Sequence, residues 1–293
     1  MRQICILGAG GQLGRELLRR CPADVTVQAI DRSLLDLARP AEISALLQRL
    51  QPQTIINAAA YTAVDRAESE AELAYSVNAE APARMAQWAQ AAGARLLHVS
   101  TDFVFDGRQG RPYMPNDPVA PLGVYGASKA AGEEKIRDIL GADALILRTA
   151  WVYSEFSNNF VKTMLRLMAE RETLSGVGDQ IGTPTWAGGL ADALWRATEL
   201  PEFTGTQHWT DAGVASWYDF AVAIQEEGRQ QGLLTREIPI QMIPTTAYPT
   251  PAKRPSCVVL DKAGSYSILG AAPHWRVQLR RMIRVWQEGK IDG

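Results

Sequence analysis

Short apolar runs and helical periodicity take turns through the first half of the chain. Residues 3–7 form an apolar run stopped by glycine. Residues 25–30 form a second that ends in Asp31, and 54–57, 95–99 and 144–147 repeat the pattern. Each run is brief, apolar and bounded by turn residues, which predicts buried strands. Between them, 15–20, 41–50, 70–92 (containing Asn78) and a stretch opening at Tyr125 carry apolar positions at helical spacing. Strands and helices alternating across short loops predict a doubly wound parallel sheet. Residues 105–123, rich in Gly, Pro, Asp and Asn, read as a loop.

Beyond residue 150 the pattern is mixed. Helices are predicted over 160–170, 187–200, 216–229 and 273–288, a short strand over 207–210, and a loop over 176–186. Five prolines between 239 and 255 predict an irregular segment. The resulting organisation is a sheet domain over 1–150, with 187–210 returning to it. Residues 151–186 and 211–293 are expected to form a smaller mixed domain that closes over a substrate.

Composition narrows the class. The 293 residues are 46% hydrophobic and 21% charged, enough for a sizeable core. Thirty basic residues against thirty-two acidic ones give a net charge of −2, which argues against nucleic-acid and anionic-membrane partners. Cys5, Cys21 and Cys257 are scattered and odd in number, so no disulfide framework is expected. His98, His208 and His274 show no zinc spacing. The N-terminal apolar run is too short for a signal peptide or a membrane span, so a cytoplasmic location is expected.

The chemistry-bearing residues follow strand ends. Gly8-Ala9-Gly10-Gly11-Gln12-Leu13-Gly14 sits between the first strand and the first helix. Glycine lets the backbone approach a pyrophosphate, and the helix N-terminus directs free N–H groups at it. Asp31, seventeen residues after Gly14, stands where a carboxylate meets adenosine ribose hydroxyls; Arg32 beside it suits a 2′-phosphate. Asp36-Leu37 follows. Small residues Ala58, Ala59 and Ala60 end the third strand and leave room for a dinucleotide. Ser100-Thr101-Asp102 ends the fourth, where open parallel sheets bind ligands. Tyr125 and Lys129, four apart, share one helix face. An ammonium beside a phenol favours the phenolate and is expected to lower the Tyr125 pKa, which makes the pair a general acid/base candidate.

These motifs, in this order, resemble the extended short-chain dehydrogenase/reductases, with a Rossmann-type fold. Within them, the stretches 57–68, 100–105, 148–153, 158–160 and 249–255 are similar to the dTDP-4-dehydrorhamnose reductases over nearly the whole chain. The resemblance implies Thr101, Tyr125 and Lys129 as the catalytic set. It implies Gly8, Gly11, Gln12, Leu13, Gly14, Asp31, Arg32, Asp36, Leu37, Ala58, Ala59, Ala60, Tyr125 and Lys129 around NADPH or NADH. Thr101, Asp102, Trp151 and Asn159 are expected on the side of a dTDP-sugar, with Arg254 at its diphosphate. It further implies a Mg²⁺ ligand at Glu16, with partner acids before the helix that holds Asp192, and leaves a homodimer open. Glycine stands at 188 where a further acid is expected.

Three rival functions are weighed. A nucleotide-sugar dehydratase needs an acid after Asp102, where Phe103 stands. An epimerase would act without net cofactor consumption. A non-catalytic regulatory subunit, like that of methionine adenosyltransferase, would not need an intact Thr101, Tyr125 and Lys129.

Overall fold

The computed structural model describes residues 1–291. Strands β1 (Arg2–Leu7), β2 (Val25–Ile30), β3 (Thr54–Asn57), β4 (Arg95–Thr101) and β5 (Leu145–Thr149) join a late strand, Gly205–His208, in one parallel sheet. The order is Gly205–His208, β5, β4, β3, β1, β2, and every neighbouring pair runs parallel. Strand order reverses between β1 and β3, which opens a crevice beyond their carboxyl ends where ligands of such sheets bind.

Both faces of the sheet are buried, so its strands read as continuous apolar runs. Side chains alternate by face. Ile4 and Ile6 pack with Leu13 and Leu17 of helix α1 (Gln12–Arg19) and with Leu190 and Leu194 of the Ala187–Thr198 helix. Cys5 and Leu7 face the opposite way, onto Ile43 and Leu47 of helix α2 (Ala41–Leu50), Met85 and Ile136. The return of residues 187–208 to the sheet is fastened by Arg95. Its guanidinium donates to the carbonyls of Ala197 (2.7 Å), Leu200 (2.8 Å) and Phe203 (2.7 Å). A separate apolar cluster joins Tyr153, Val161, Leu165, Trp186, Phe220, Ile224, Trp275 and Leu279.

Several elements differ from expectation. The 70–92 stretch is not one regular helix. It runs as Ala71–Tyr75, a π-helical turn at Ser76–Glu80, and Ala81–Ala92. The expected loop at 176–186 begins inside the strand Leu174–Val177 and contains Ile181–Gly182 and Thr185–Trp186. The proline-rich segment supplies that strand's partner, Ile240–Ile243. Prolines 239 and 244 flank this strand rather than interrupt it, so its N–H groups remain able to pair. Ala263–Leu269 is a helix not anticipated by periodicity.

Candidate functional site

The crevice is a cavity of about 1040 Å³ that runs from the glycine turn, past β3 and β4, to the C-terminal segments. At one end, β1 delivers the chain into a turn in which Gly11 N donates to Gly8 O (3.0 Å). Gly8 has φ +86°, and a Cβ there would lie 2.7 Å from Ala59 N. A Cβ on Gly14 would lie 2.1 Å from Gly8 O, so Gly14 lets α1 press onto the turn and is not itself a cavity residue. Gly11, in contrast, meets only Gly8 O at 3.3 Å on that side. Gly8, Gly11, Gln12 and Leu13 line the cavity. Helix α1 opens Gln12-Leu13-Gly14 without an acid, so its first N–H groups are a ready anion site.

Beside the turn, Asp31, Arg32, Asp36 and Leu37 line the same end. Asp31 Oδ1 accepts from Ser33 Oγ (2.6 Å) and Ser33 N (2.9 Å), and these bonds hold the carboxyl below its usual range. The Arg32 side chain is 81% exposed, with Nη2 3.6 Å from Asp36 Oδ2. A carboxylate able to accept from a diol and a guanidinium able to pair with a phosphate therefore stand together. The small-residue cradle, the acid-free helix start and this pair all fit a nicotinamide dinucleotide.

Ala58, Ala59 and Ala60 form the adjoining wall. The segment is pinned from behind. Asn57 Oδ1 accepts from Ala59 N (3.1 Å). The Asn78 side chain receives Tyr61 N (2.8 Å) and donates to Tyr61 O (3.1 Å) and to Ser128 Oγ (3.0 Å). Asn78 sits in the π-helical turn, whose wider winding places this side chain between the wall and the Val124–Leu140 helix.

At the carboxyl end of β4, Thr101, Asp102, Tyr125 and Lys129 converge on the cavity. Thr101 Oγ1 donates to Asp102 Oδ1 (3.0 Å) and accepts from Phe103 N (3.2 Å), which aims it inward. Burial pushes the Asp102 carboxyl up to about 7. Gly126 allows the helix to seat against Phe103 O, which a Cβ would approach to 2.2 Å; Phe103 meets the Tyr125 ring edge-on at 5.4 Å.

One expectation is corrected here. Lys129 does not lower the Tyr125 pKa in this state. Its Nζ donates to Val99 O (2.7 Å) and lies 3.2 Å from His98 Nε2. Burial pushes the Tyr125 phenol up to about 12, opposed by the Thr101 hydroxyl and reinforced by Asp102. Burial also brings Lys129 down to about 8, with Glu133 working against it. Below them Glu133 is paired with Arg148 (2.6 and 2.9 Å) and accepts from Ser100 Oγ (2.5 Å), a buried strut between helix and sheet.

The far end is built by Trp151, Trp217 and Arg254. Trp151 adopts φ +46°, uncommon for a bulky residue, and its indole stacks on Trp217 at 3.6 Å and 8°. Gly182 gives it room, since a Cβ there would lie 2.7 Å from the indole. Arg254 is held bidentate by Asp65 (3.0 and 2.8 Å). Asn159 is not brought to the cavity. Its Oδ1 caps the Phe160–Glu170 helix through Lys162 N (3.2 Å), and its Nδ2 donates to Gln12 Oε1 (2.9 Å) and Ser154 O (2.6 Å).

Glu16 does not fit a metal ligand. It is fully buried, and its oxygens accept from Arg19 (2.7 Å) and Arg20 (3.0 Å). Arg20 also holds Asp192 (2.9 Å), so guanidinium groups fill the place a cation would take. Burial, with neighbouring Glu155, raises the Glu16 carboxyl. Among the described residues no group of three or more His, Cys, Asp or Glu is arranged to hold a metal.

Asn57, His98, Asp65 and Trp217 were missed by sequence reasoning as parts of this site. Asn57 had a signal, since it opens the Asn57-Ala58-Ala59-Ala60 stretch. The other three are brought in by tertiary packing.

The chain is similar to known proteins over nearly its whole length. The sequence profile of the family described as RmlD substrate binding domain matches residues 1–288. The dTDP-4-dehydrorhamnose reductase of Aggregatibacter actinomycetemcomitans is 42% identical over 98% of this chain and 100% of its own. A crystal structure of a dTDP-4-dehydrorhamnose reductase from Clostridium acetobutylicum is similar with a TM-score of 0.90 and 36% identity, covering 97% of this chain and 99% of that one. The Bacillus anthracis dTDP-4-dehydrorhamnose reductase, solved in complex with NADP, also gives a TM-score of 0.90, at 34% identity, covering 97% of this chain and 100% of that one. With the glycine turn, the Thr101–Tyr125–Lys129 cluster and this full-length similarity in agreement, the chain belongs to the family of dTDP-4-dehydrorhamnose reductases.

Proposed function

We propose that this protein reduces the 4-keto group of dTDP-4-dehydro-L-rhamnose to give dTDP-L-rhamnose. The observation that carries the reading is the convergence of Thr101, Tyr125 and Lys129 midway along the cavity, between the glycine turn and the Trp151–Trp217–Arg254 end. Bound NADPH or NADH supplies the hydride. The protein's own residues do the rest.

The glycine turn and the start of α1 bind the pyrophosphate, while Asp31 and Arg32 meet the adenosine ribose. Thr101 orients the ketone by hydrogen bonding its oxygen. As hydride adds to carbon, negative charge grows on that oxygen, and the Tyr125 phenol gives it a proton. A phenol held near 12 stays protonated at neutral pH, as a donor must, and an alkoxide is basic enough to take its proton. Asp102 lies next to Thr101 on the substrate side. Arg254, pre-positioned by Asp65, binds the diphosphate, and the Trp151–Trp217 stack covers the sugar nucleotide. In this reading residues 1–150 with 187–210 form the cofactor domain, and 151–186 with 211–293 form the substrate domain.

The test is NADPH or NADH oxidation with the dTDP-4-keto-sugar, generated in situ from dTDP-glucose by the dehydratase and epimerase steps that precede it. Substrate-dependent oxidation yielding dTDP-rhamnose is expected. Tight cofactor binding with no turnover would overturn the reading in favour of a binding protein.

A further inference from the structure

Behind Lys129 lies a chain of side chains that the reaction outlined above does not use. Asn57 and His98 are both fully buried. Asn57 Nδ2 lies 2.9 Å from His98 Nδ1, and His98 Nε2 lies 3.2 Å from Lys129 Nζ. The proton positions follow from counting donors. Ala59 N–H donates to Asn57 Oδ1, which turns the amide NH₂ toward His98. An amide nitrogen only donates, so His98 Nδ1 must accept. A neutral imidazole with a bare Nδ1 carries its proton on Nε2, and that N–H points at Lys129.

Each alternative places two donors face to face. A flipped Asn57 amide would set its NH₂ against Ala59 N–H. An Nδ1–H ring would face the amide NH₂. A charged ring conflicts at both ends, and burial together with Lys129 holds His98 far below its usual titration range. With the Nε2–H ring in place, the one conflict-free partner is a lysine amine that accepts from His98 while donating to Val99 O.

We propose that Asn57 fixes the Nε2–H tautomer of His98, and that His98 thereby acts as a positioning residue that makes the Lys129 ammonium a stronger acid. Other groups around Lys129 bear on its charge. On its own helix, Tyr125 is a neutral phenol, while Glu133, although paired with Arg148, favours the charged amine and works against the effect. From β4 come His98 and the Val99 carbonyl. Burial already eases loss of the Lys129 proton. A more acidic ammonium is suited to returning a proton to Tyr125 after each turnover, a role that rests on the reductase reading above.

The direct test does not depend on that reading. In the cofactor-free wild-type protein labelled with ¹⁵N-histidine, ring nitrogen shifts distinguish the two tautomers. Only three histidines are present, and His98→Gln identifies the signal by its loss. A bare Nδ1 with a protonated Nε2 is expected; a protonated Nδ1 would overturn the proposal even if the enzyme is a reductase.

The second arm is Asn57→Asp. A carboxylate accepts from both Ala59 N–H and His98 Nδ1–H, so it reverses the tautomer and presents a bare Nε2 that accepts from the ammonium. In a folded Asn57→Asp protein the alkaline limb of kcat/KM should move up by about one pH unit or more, the scale of a nearby opposite charge. An alkaline limb that stays in place or moves down would contradict the assignment. If Asn57→Asp does not fold, the wild-type tautomer decides. Absence of reductase activity with the expected tautomer would fail the functional reading alone.

Discussion

The two ends of the cavity are built on different principles. At the glycine turn, the groups offered to a ligand are backbone. Gly8 and Gly14 are required because neighbouring main chain occupies the space a side chain would need, and the ligand groups offered are N–H donors at a helix start. At the Trp151–Arg254 end, the groups offered are side chains, and other side chains hold them. Trp151 is set by a strained backbone and a stack on Trp217, and Arg254 is set by Asp65. Each end is therefore vulnerable in its own way. The first fails through sterics within a few consecutive residues. The second fails through loss of partners far away in the chain.

The largest effects are expected at the glycine turn, where Gly14 and Gly11 should respond differently. Gly14→Val should abolish cofactor binding and lower Tm markedly, because its Cβ would meet fixed main chain at 2.1 and 2.6 Å. Gly11→Ala should leave the melting curve close to wild type while weakening NADPH binding, since its Cβ meets only one carbonyl at 3.3 Å in the free protein. Thermal melts and cofactor titration check both. A cofactor-competent Gly14→Val protein would remove the steric account.

At the other end, Arg254→Ala should raise the KM for the sugar nucleotide by about 10- to 100-fold. That corresponds to the roughly 1.5–3 kcal/mol of a charge-assisted bond. NADPH affinity should stay within error, because Arg254 lies away from the glycine turn. Equal losses for both ligands in steady-state kinetics would contradict the division of the cavity.

Which parts were legible follows from the same contrast. Strand runs, the glycine turn and the Tyr125–Lys129 spacing are local patterns, and the sheet and the cavity floor came out where they pointed. Asp65 with Arg254, and Trp151 with Trp217, are joined across 189 and 66 positions, beyond the reach of any local pattern. Asn159 resembled a substrate residue by its motif, yet its side chain is spent capping a helix and bonding Gln12. His98 carries no metal-ligand spacing and its partner is an amide 41 positions away, so no local pattern marks it. The π-helical turn at Ser76–Glu80 kept its amphipathic pattern and so passed for regular helix.

The smallest effect is expected at the adenosine ribose. Asp31→Ala should shift kcat/KM toward NADPH, and Arg32→Ala toward NADH, each by a few-fold, since Arg32 is well exposed and Asp31 only half-buried, so that both are screened. Paired assays with the two cofactors check this. Unmoved ratios in both variants would place the ribose elsewhere.

The central claim is that the Tyr125 hydroxyl delivers the proton. Tyr125→Phe keeps the ring against Phe103 and removes only that hydroxyl. The decisive measurement is the single-turnover rate of NADPH oxidation by Tyr125→Phe, with enzyme and cofactor in excess over the dTDP-4-keto-sugar. A fall of about 10²–10⁴ with cofactor affinity intact is the predicted result, the usual scale for a lost general acid. A wild-type rate under those conditions would contradict the mechanism.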